Sequence, residues 1–480
     1  MKRITTKLFI NGEWTEARSG LRSPVYNPST GEQIADVPLG GREDARLAVE
    51  AAHAAFWSWS QTPAEERSAI LRRMYELVVA DADRLGEIMT LEQGKPFREA
   101  RGEVVWGAEY LLWYAEEAKR IYGDIIPPSR PTQRIFVQRQ PVGVVAAITP
   151  WNFPSSMITR KLAPALAAGC TVVVKPAPET PLSAIALFEL FAEAGLPAGV
   201  ANLVTGDAAE IGREWLDNEK VRKISFTGST AVGKYLLEQS AKQVKKVSLE
   251  LGGHAPFIVF EDADLEAAVD GLMYNKFQNN GQTCICANRI FVHESLMDPF
   301  VELFAAKVRE LKVGDGFRDV HVGPLIHAKA VEKVHEHVRD AMDRGAELVL
   351  GGHPLTEGDL AKGFFYAPTV LKRVTPDMRI YHEETFGPVA PFIAFRSEDD
   401  VVRMANDTPY GLAAYIYTRD LGRTLRVSDR LEYGMIGVNE SALGYVQAPF
   451  GGIKQSGMGR EGGKHGLDDF LEYKYLNVNF

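Results

Sequence analysis

A cysteine in a polar loop is a candidate for covalent chemistry in this sequence. The segment NNGQTCICANR places Cys284 after a glycine-bearing turn and before the apolar run RIFVH. A thiol attacks as the thiolate, so a catalytic cysteine needs a polar, partly exposed setting with backbone amides nearby. The loop offers that setting, but most loop cysteines are small buried residues, and this segment alone leaves both interpretations open.

A carboxylate and an amide follow two other apolar runs. Glu250 lies near the end of VSLEL, beside two glycines, and Asn152 follows GVVAAI in the segment ITPWNFP. A glutamate buried at the carboxyl end of a parallel strand could be a general base, because desolvation raises its pKa. An asparagine amide there could stabilise an oxyanion. The alternatives are a surface glutamate and a helix-capping asparagine.

A third group of residues has the chemistry of an anion site. Gly228, Ser229 and Gly233 lie in SFTGSTAVGK, where an apolar run meets a helical pattern and helix-end amides can bind phosphate. The spacing G-x-x-x-x-G is not the G-x-G-x-x-G of dinucleotide folds, so the signal is weak alone. Lys175 ends TVVVK and could hold a ribose or a phosphate, although most lysines at strand ends are simply solvated.

Apolar runs that alternate with helical patterns must position these residues. Residues 42–120 have helical periodicity, and strand-like runs separated by helices follow Arg134. Parallel strands need such crossovers, so we predict the α/β class, with two doubly wound α/β domains that divide near Gly252. The runs are GVVAAI, TVVVK, ANLV, KISF and VSLEL in the first, and FIVF, RIFVH, AELVL, APTVL, APFIAF, AAYIYT and GMIGV in the second.

Two strand-like segments fit neither series. They are RIFVQRQ (residues 134–140) and EYKYLNVNF (residues 472–480). An exposed strand edge is a liability unless another chain covers it. We therefore predict that both belong to a small β element that builds a homo-oligomer, either a dimer or a tetramer.

The composition restricts the class of protein. The chain has 480 residues, a net charge of −9 and 45% hydrophobic residues, which is typical of a globular protein. No basic stripe is present, so we expect no nucleic acid partner. Prolines interrupt the longest uncharged stretch and no apolar leader is visible, so we expect no membrane partner. Three cysteines are too few for a disulfide framework, which favours the cytoplasm, and we predict no metal.

The candidate segments follow one another in the order PWNFP, VVVKPA, FTGSTAVG, LELGG, GQTC, EETFGPV and PFGGIKQSGMGREGG. In this order and spacing they resemble the aldehyde dehydrogenase superfamily, from NGEW near the start to the last strand. GQTCICANR, PFGGIKQSGMGREGGKHG and MITRKLAPALAAGC look closest to the succinate-semialdehyde dehydrogenases. The resemblance implies a cofactor-binding domain (1–121, 143–253 and 448–467), a catalytic domain (254–447) and an oligomerisation element (122–142 and 468–480).

The resemblance also implies a reaction. Cys284 attacks the aldehyde to give a thiohemiacetal, whose oxyanion is held by Asn152 and the Cys284 backbone N–H. Hydride passes to NAD or NADP, and Glu250 activates the water that hydrolyses the thioester. The residues implied around the cofactor are Trp151, Lys175, Gly228, Ser229, Gly233, Glu384 and Phe386. Many NAD-preferring members carry glutamate where this chain has Pro178, with Glu179 beside it, so the cofactor preference stays open.

Substrate recognition departs from the nearest resemblance. Arg160 matches an arginine that binds the distal carboxylate of succinate semialdehyde, but Gln278 replaces a second arginine and Gly444 replaces a serine. Phe153 is also expected at the substrate. A guanidinium matches carboxylate or sulfonate geometry, so Arg160 alone could select an anionic semialdehyde. The alternative is another small polar aldehyde, such as lactaldehyde, glycolaldehyde, sulfolactaldehyde or a longer semialdehyde.

Three further interpretations stay open. Cys286 lies two residues past the nucleophile, as in members reported to form a reversible disulfide, and it could equally be a spectator thiol. The chain could be a catalytically silent homologue, although it retains every residue that the reaction requires. A cofactor-free cysteine hydrolase would need a base such as His254, which we expect instead in a turn.

Overall fold

The computed structural model describes residues 5–480, so the first four residues of the predicted segment 1–121 lie outside the described residues. The strands are β1 (Leu8–Ile10), β2 (Glu13–Thr15), β3 (Arg22–Tyr26), β4 (Gln33–Pro38), β5 (Asp124–Ile126), β6 (Gln133–Pro141), β7 (Val144–Ile148), β8 (Thr171–Lys175), β9 (Ala201–Leu203), β10 (Val221–Thr227), β11 (Lys246–Glu250), β12 (Ala255–Val259), β13 (Ala287–His293), β14 (Glu347–Leu350), β15 (Thr369–Lys372), β16 (Val389–Phe395), β17 (Ala413–Tyr417), β18 (Met435–Val438), β19 (Gly457–Met458) and β20 (Leu471–Asn479).

The helices connect these strands and cover their faces. They are α1 (Arg42–Gln61), α2 (Ala64–Ala80), α3 (Ala82–Gln93), α4 (Phe97–Glu117), α5 (Ser156–Ala168), α6 (Pro181–Glu193), α7 (Ala208–Asp217), α8 (Thr230–Ser240), α9 (Leu265–Phe277), α10 (Met297–Arg309), α11 (Ala328–Asp343), α12 (Arg379–His382), α13 (Glu398–Asn406) and α14 (Leu421–Arg430). No helix among residues 5–480 is long and apolar enough to cross a membrane.

The first sheet has eight strands in the order β19-β11-β10-β7-β8-β9-β1-β2. Its five central strands are parallel, as the alternating apolar runs predict, and the short strands β19, β1 and β2 at the edges pair antiparallel. The chain moves outward from β7 to β9 and then returns to β10 on the other side of β7. Ligands of α/β sheets bind at such a switch point, beyond the carboxyl ends of the strands.

The second sheet has seven strands in the order β14-β15-β16-β13-β12-β17-β18. Six strands are parallel, so the α/β class and the second series of strands are confirmed. The run AELVL, which forms β14, differs because it pairs antiparallel with β15. Residues 351–368 between these strands contain only a short 3₁₀ turn, and without a crossover helix the chain reverses direction.

The candidate residues lie where the two sheets meet. Asn152 follows β7, Gly228 follows β10 and Glu250 ends β11, all at the carboxyl edge of the first sheet. Cys284 precedes β13 and Glu384 precedes β16, at the amino edge of the second sheet. The site is therefore built between opposite edges of two sheets, and only the first of them follows the carboxyl-edge rule.

A third, three-stranded sheet has the order β20-β6-β5. Residues 134–140 and 472–480, which we predicted to belong to one small β element, pair with each other, antiparallel, from Leu471 opposite Pro141 to Asn479 opposite Gln133. The outer edge of β20 makes no strand pair within residues 5–480. Tyr473 and Tyr475 on this strand are 72% and 61% exposed.

The helical segment at residues 63–89 differs in detail from its sequence pattern. The pattern reads as one run that begins with Pro63 in its first turn, whereas the structure places Pro63 before α2 and breaks the run at Asp81 into α2 and α3. Pro154 likewise precedes α5. Gly94, with a φ of 90°, ends α3 in the left-handed conformation that favours glycine.

Candidate active site

Cys284 lies at the junction of two cavities. One cavity, of about 470 Å³, is lined by Arg160, Phe153, Gln278 and Gly444 among others. The other, of about 400 Å³, is lined by residues that include the loop after β10 and the segment before β16. Cys284 and Met157 line both cavities. A group bound in either cavity therefore lies beside the same cysteine.

The loop that carries Cys284 is held in a fixed conformation. Asn279 and Asn280 adopt left-handed backbone angles, with φ of 49° and 58°, and Gly281 follows with φ of 73°. A Cβ at Gly281 would overlap the carbonyl oxygen of Gly387, and a Cβ at Gly253 would overlap that of Cys284. Glycine is needed at both positions because backbone passes directly over backbone.

Burial dominates the electrostatics of the thiol. Desolvation raises the pKa of Cys284 to about 12, and the carboxylates of Glu384 and Glu250 act in the same direction. The guanidinium of Arg160 opposes them, because a nearby positive charge stabilises the thiolate. The half-buried Cys284 thus depends on Arg160 for electrostatic stabilisation of its reactive form.

Asn152 is buried and lies beside the cysteine loop. Its Nδ2 donates a hydrogen bond to the carbonyl of Gln282, at 3.0 Å, two residues before Cys284. An amide nitrogen carries two N–H groups, so one of them remains for a ligand. The turn that holds Asn152 precedes α5. Because Asn152 is buried, its position favours a role inside the site over that of a surface helix cap.

Glu250 is buried at the end of β11, and neither of its carboxylate oxygens has a hydrogen-bond partner among the described residues. Burial raises the pKa of Glu250 well above its ordinary value, and the carboxylate of Glu461 adds to the effect. Glu461 is itself paired with Arg160, at 3.0 Å, and with Lys161. An unpaired, desolvated carboxylate is the state expected of a general base.

The second cavity fits a dinucleotide. Gly228 and Ser229 border it at the amino end of α8, where Ser229 Oγ accepts a hydrogen bond from the Val232 N–H. Trp151 and Phe386 supply an aromatic wall, with ring centroids 5.7 Å apart. Helix-end amides suit phosphates and aromatic walls suit a ring system.

A carboxylate completes this cavity. Glu384 Oε1 accepts a hydrogen bond from the Gly253 N–H at 3.0 Å, which leaves Oε2 for a hydroxyl group. Burial raises the pKa of Glu384 to about 7. A Cβ at Gly252 would lie 3.0 Å from Oε2, so this glycine keeps the carboxylate accessible.

Three of the predicted cofactor residues do not line this cavity. Gly233 packs α8 against β11, since a Cβ there would overlap the side chain of Leu251. Lys175 is buried at the end of β8, and desolvation lowers its pKa to about 8, against the opposing charges of Glu179 and Asp207. Pro178 is exposed nearby.

The first cavity contains a buried cation. Arg160 is 1% exposed, its guanidinium carbon lies 4.1 Å from the Phe450 ring centroid, and its Nε has no acceptor among the described residues. Gln278 and Gly444 line the same cavity. A Cβ at Gly444 would lie 3.0 Å from Trp106, whose Nε1 donates to the Gly444 carbonyl at 2.6 Å. The indole thus occupies the space beside Gly444, where the resemblance had implied a serine.

The two remaining candidates lie away from both cavities. Cys286 is fully buried, with its Sγ 3.8 Å from the Lys276 carbonyl, and all three cysteines are free thiols. His254 is fully buried, and its Nε2 contacts the carbonyl of Tyr381 at 2.8 Å. It is therefore hydrogen-bonded away from the thiol rather than placed as its base.

Sequence reasoning missed a stripe of α4 that lines the first cavity. Its members are Glu99, Gly102, Glu103, Trp106 and Glu109. They recur at intervals of three and four residues and so share one helical face. Acidic and aromatic residues that share one face of a helix were the available signal.

Comparisons with known proteins agree with this geometry. The sequence profile described as "Aldehyde dehydrogenase family" matches residues 14–476. The chain is 52% identical to the succinate-semialdehyde dehydrogenase [NADP(+)] of Escherichia coli, over 98% of this chain and 97% of that protein. It is 53% identical to a 3-sulfolactaldehyde dehydrogenase of Pseudomonas putida, over 98% and 97% of the two chains.

A solved structure gives the same result for the fold. The crystal structure of succinate-semialdehyde dehydrogenase from Burkholderia pseudomallei superposes with a TM-score of 0.98, at 52% identity, over 100% of both chains. The resemblance inferred from the motifs is thus confirmed over nearly the whole chain. The chain belongs to the aldehyde dehydrogenase family, and it is an enzyme that oxidises aldehydes with NAD or NADP.

Proposed function

We propose that this enzyme oxidises a small anionic semialdehyde, such as succinate semialdehyde, to the carboxylate. The observation that carries the proposal is the position of Cys284 between two cavities, one of which holds the buried Arg160. In that cavity a semialdehyde can present its carbonyl carbon to the thiol while its distal anion approaches the guanidinium. The second cavity receives the dinucleotide.

The residues divide the chemistry among them. Cys284, as the thiolate, bonds to the carbonyl carbon, and the free N–H of Asn152 with the Cys284 backbone N–H stabilises the oxyanion. NAD or NADP, when bound in the cavity that Gly228, Ser229 and Glu384 line, would supply the hydride acceptor. Glu250 then takes a proton from the water that attacks the thioester, which releases the carboxylate and returns the thiol.

Arg160 is the proposed anchor for the substrate anion. It is charged at all accessible pH values, and Phe450 fixes the plane of its guanidinium. Glu461 already pairs with its Nη2, so the substrate competes for a guanidinium that is partly neutralised. Without the second arginine, which Gln278 replaces, we expect a weaker anion preference than two arginines would give.

The second candidate function is the oxidation of a small hydroxylated or otherwise polar aldehyde, such as lactaldehyde, glycolaldehyde, sulfolactaldehyde or a longer semialdehyde. The carboxylates of Glu99 and Glu109 line the same cavity as Arg160, and both oppose an anion there. Gln278 and Ser441 add neutral hydrogen-bonding groups. These residues favour a substrate with hydroxyl groups.

A substrate panel separates the two functions. Reduced-nicotinamide absorbance is followed with NAD and with NADP, for succinate semialdehyde, glutarate semialdehyde, 3-sulfolactaldehyde, lactaldehyde and glycolaldehyde. We expect the anionic aldehydes to have the highest kcat/KM. The ratio of kcat/KM with NAD to kcat/KM with NADP gives the cofactor preference.

Two substitutions test the residue assignments. Arg160→Leu should raise KM for anionic aldehydes by about tenfold or more, on the order of one charged hydrogen bond, and should change KM for neutral ones far less. Equal changes in KM for anionic and neutral aldehydes would contradict the proposed role of Arg160 as the anchor. Arg426→Leu, on the exposed face of α14, serves as the control. Cys284→Ala should abolish turnover and leave cofactor binding intact.

We further propose the domain division of the resemblance, with residues 1–121, 143–253 and 448–467 binding the cofactor and residues 254–447 carrying Cys284. The separate sheets support it, since the first is built from β1, β2, β7–β11 and β19 and the second from β12–β18. Residues 122–142 and 468–480 would form the oligomerisation element of a homo-oligomer. A cytoplasmic location is proposed because the reaction needs Cys284 as a free thiol.

A further inference from the structure

One short segment of the chain contacts both sides of the proposed oxyanion site. It runs from the last residue of α3 to the second turn of α4, and four of its side chains, Gln93, Lys95, Glu99 and Glu103, form the set that we call the brace. The side chains of Lys95 and Glu103 are 1% and 2% exposed, and Gln93 is fully buried. Such groups retain their charge and polarity inside a protein only when they are paired.

Lys95 and Glu103 hold the turn that carries Asn152. Lys95 Nζ lies 2.7 Å from Glu103 Oε2 and donates to the backbone carbonyl of Asn152 at 2.8 Å. Glu103 Oε1 accepts hydrogen bonds from the backbone N–H groups of Ser155 and Ser156, at 3.0 and 3.1 Å. One buried ion pair therefore fixes both ends of this turn.

Gln93 and Glu99 hold the loop that carries Cys284. The Asn279 N–H donates to Glu99 Oε2 at 2.9 Å, and Gln93 Nε2 donates to the Asn279 side-chain oxygen, also at 2.9 Å. Asn279 has a φ of 49°, a conformation that an asparagine adopts at some cost and that these two contacts stabilise.

Asn279 and Asn152 also bind each other's segments. Asn279 Nδ2 donates to the Asn152 carbonyl at 2.9 Å, so this oxygen accepts from both Lys95 and Asn279. Asn152 Nδ2 in turn donates to the Gln282 carbonyl at 3.0 Å. The turn, the loop and the brace thus form one closed network, in which the amide of Asn152 keeps a single free N–H.

We propose that the brace residues are positioning residues, which set the distance between the Asn152 amide and the Cys284 backbone so that both N–H groups meet the same oxyanion. The inference rests on the proposed role of Asn152 and explains why a buried ion pair lies beside the substrate cavity. Oxyanion donors are effective only when they are fixed before the charge develops. In this proposal the Lys95–Glu103 pair fixes the positions of the two oxyanion donors and does not bind the substrate.

The test is a double-mutant cycle between Lys95→Met and Asn152→Ala. Lys95→Met should lower kcat and the pre-steady-state rate of reduced-nicotinamide formation by about 10- to 100-fold, as expected for a misplaced donor. The KM for aldehyde and the Kd for cofactor should stay within about twofold of the wild-type values. In the Asn152→Ala background, the same change should cost no further activity, because the donor it positions is gone.

Lys245→Met is the matched control. Lys245 is also buried and donates to two backbone carbonyls, those of Asn218 and Val221, but it lies outside the network. We expect this variant to keep the wild-type kcat even if its thermal stability falls. Should Lys95→Met fail to fold, Glu103→Gln removes one charge of the pair with little change in volume and replaces it in the cycle.

The other outcomes contradict the proposal in distinguishable ways. If Lys95→Met lowers kcat equally in both backgrounds, its role is general stability and the positioning inference is wrong. If Lys95→Met and Glu103→Gln both keep the wild-type kcat, the inference is also wrong. A normal kcat in Asn152→Ala alone would overturn the role of Asn152 itself, and with it the inference built on that role.

Discussion

At the scale of single residues, the site combines groups whose ordinary protonation states are shifted by burial. Desolvation raises the pKa of Cys284, Glu250 and Glu384. The positive charge of Arg160 lowers the pKa of both Cys284 and Glu250 and so opposes this effect. One arginine thus acts on the proposed nucleophile and the proposed base, and it is also the proposed anchor of the substrate. Replacing Arg160 should therefore change the rate of the chemical steps as well as the affinity for the substrate.

The first residue-scale prediction concerns the thiol. Arg160→Met should slow the alkylation of Cys284 by iodoacetamide, because the lost positive charge raises the pKa of the thiol further and lowers the thiolate fraction at a given pH. The rate of alkylation against pH gives the measurement, and the midpoint should move upward from that of the wild type. An unchanged or lower midpoint would show that Arg160 does not stabilise the thiolate.

The second residue-scale prediction concerns Glu250. Only the carboxylate can accept a proton, and burial raises its pKa well above the ordinary value. Turnover should therefore fall as the pH decreases, starting well above pH 4.5, where a solvated glutamate would still be ionised. Glu250→Gln should keep a single burst of reduced cofactor and lose steady-state turnover. A wild-type steady-state rate in this variant would contradict the proposed role of Glu250 as the general base.

At the scale of elements, two opposed sheet edges position the site. The carboxyl edge of the first sheet supplies Asn152, Gly228 and Glu250, and the amino edge of the second supplies Cys284 and Glu384. The distance of α8 from β11 fixes the amino end of that helix at the cofactor cavity. Gly233 sets this distance, because it packs directly on Leu251.

The element-scale prediction compares two helical glycines. Gly233→Ala should destabilise the fold by about 1–3 kcal/mol, as overpacking does, and should weaken cofactor binding because α8 must move. Gly212→Ala on α7 is the control, since its added methyl group meets no atom within 4 Å and should stabilise the helix by about 0.5–1 kcal/mol. Thermal unfolding and cofactor fluorescence titration provide the measurements. Equal cofactor affinity in both variants would contradict the role of α8.

At the scale of the whole molecule, the parallel strands were predictable and the long-range contacts were not. GVVAAI, TVVVK and FIVF are short apolar runs, and their period and length indicate buried strands locally. The pairing of β6 with β20 and the contact of Lys95 with Asn152 join residues far apart in sequence. A single sequence carries no local signal for such contacts. The roles proposed for Cys284 and Glu250 rest on the ordered set of motifs, not on either residue alone.

The whole-molecule prediction concerns the β20 edge. Tyr475 is 61% exposed on a strand whose outer edge is unpaired within residues 5–480, so a second copy of the chain should cover it. Tyr475→Lys should lower the mass measured by size-exclusion chromatography with light scattering. Tyr26→Lys, at a tyrosine that is 51% exposed on β3 and lies outside the proposed oligomerisation element, is the control. A monomeric wild type, or an unchanged mass in Tyr475→Lys, would contradict the proposed contact.

The shared position of Cys284 has a consequence for inhibition. The two cavities have Cys284 in common, and in the proposed arrangement one cavity receives the aldehyde and the other receives the dinucleotide. A bulky adduct on its thiol would therefore project toward both cavities at once. One thiol-directed reagent should thus exclude two reactants, and either reactant, bound beforehand, should shield the enzyme from that reagent.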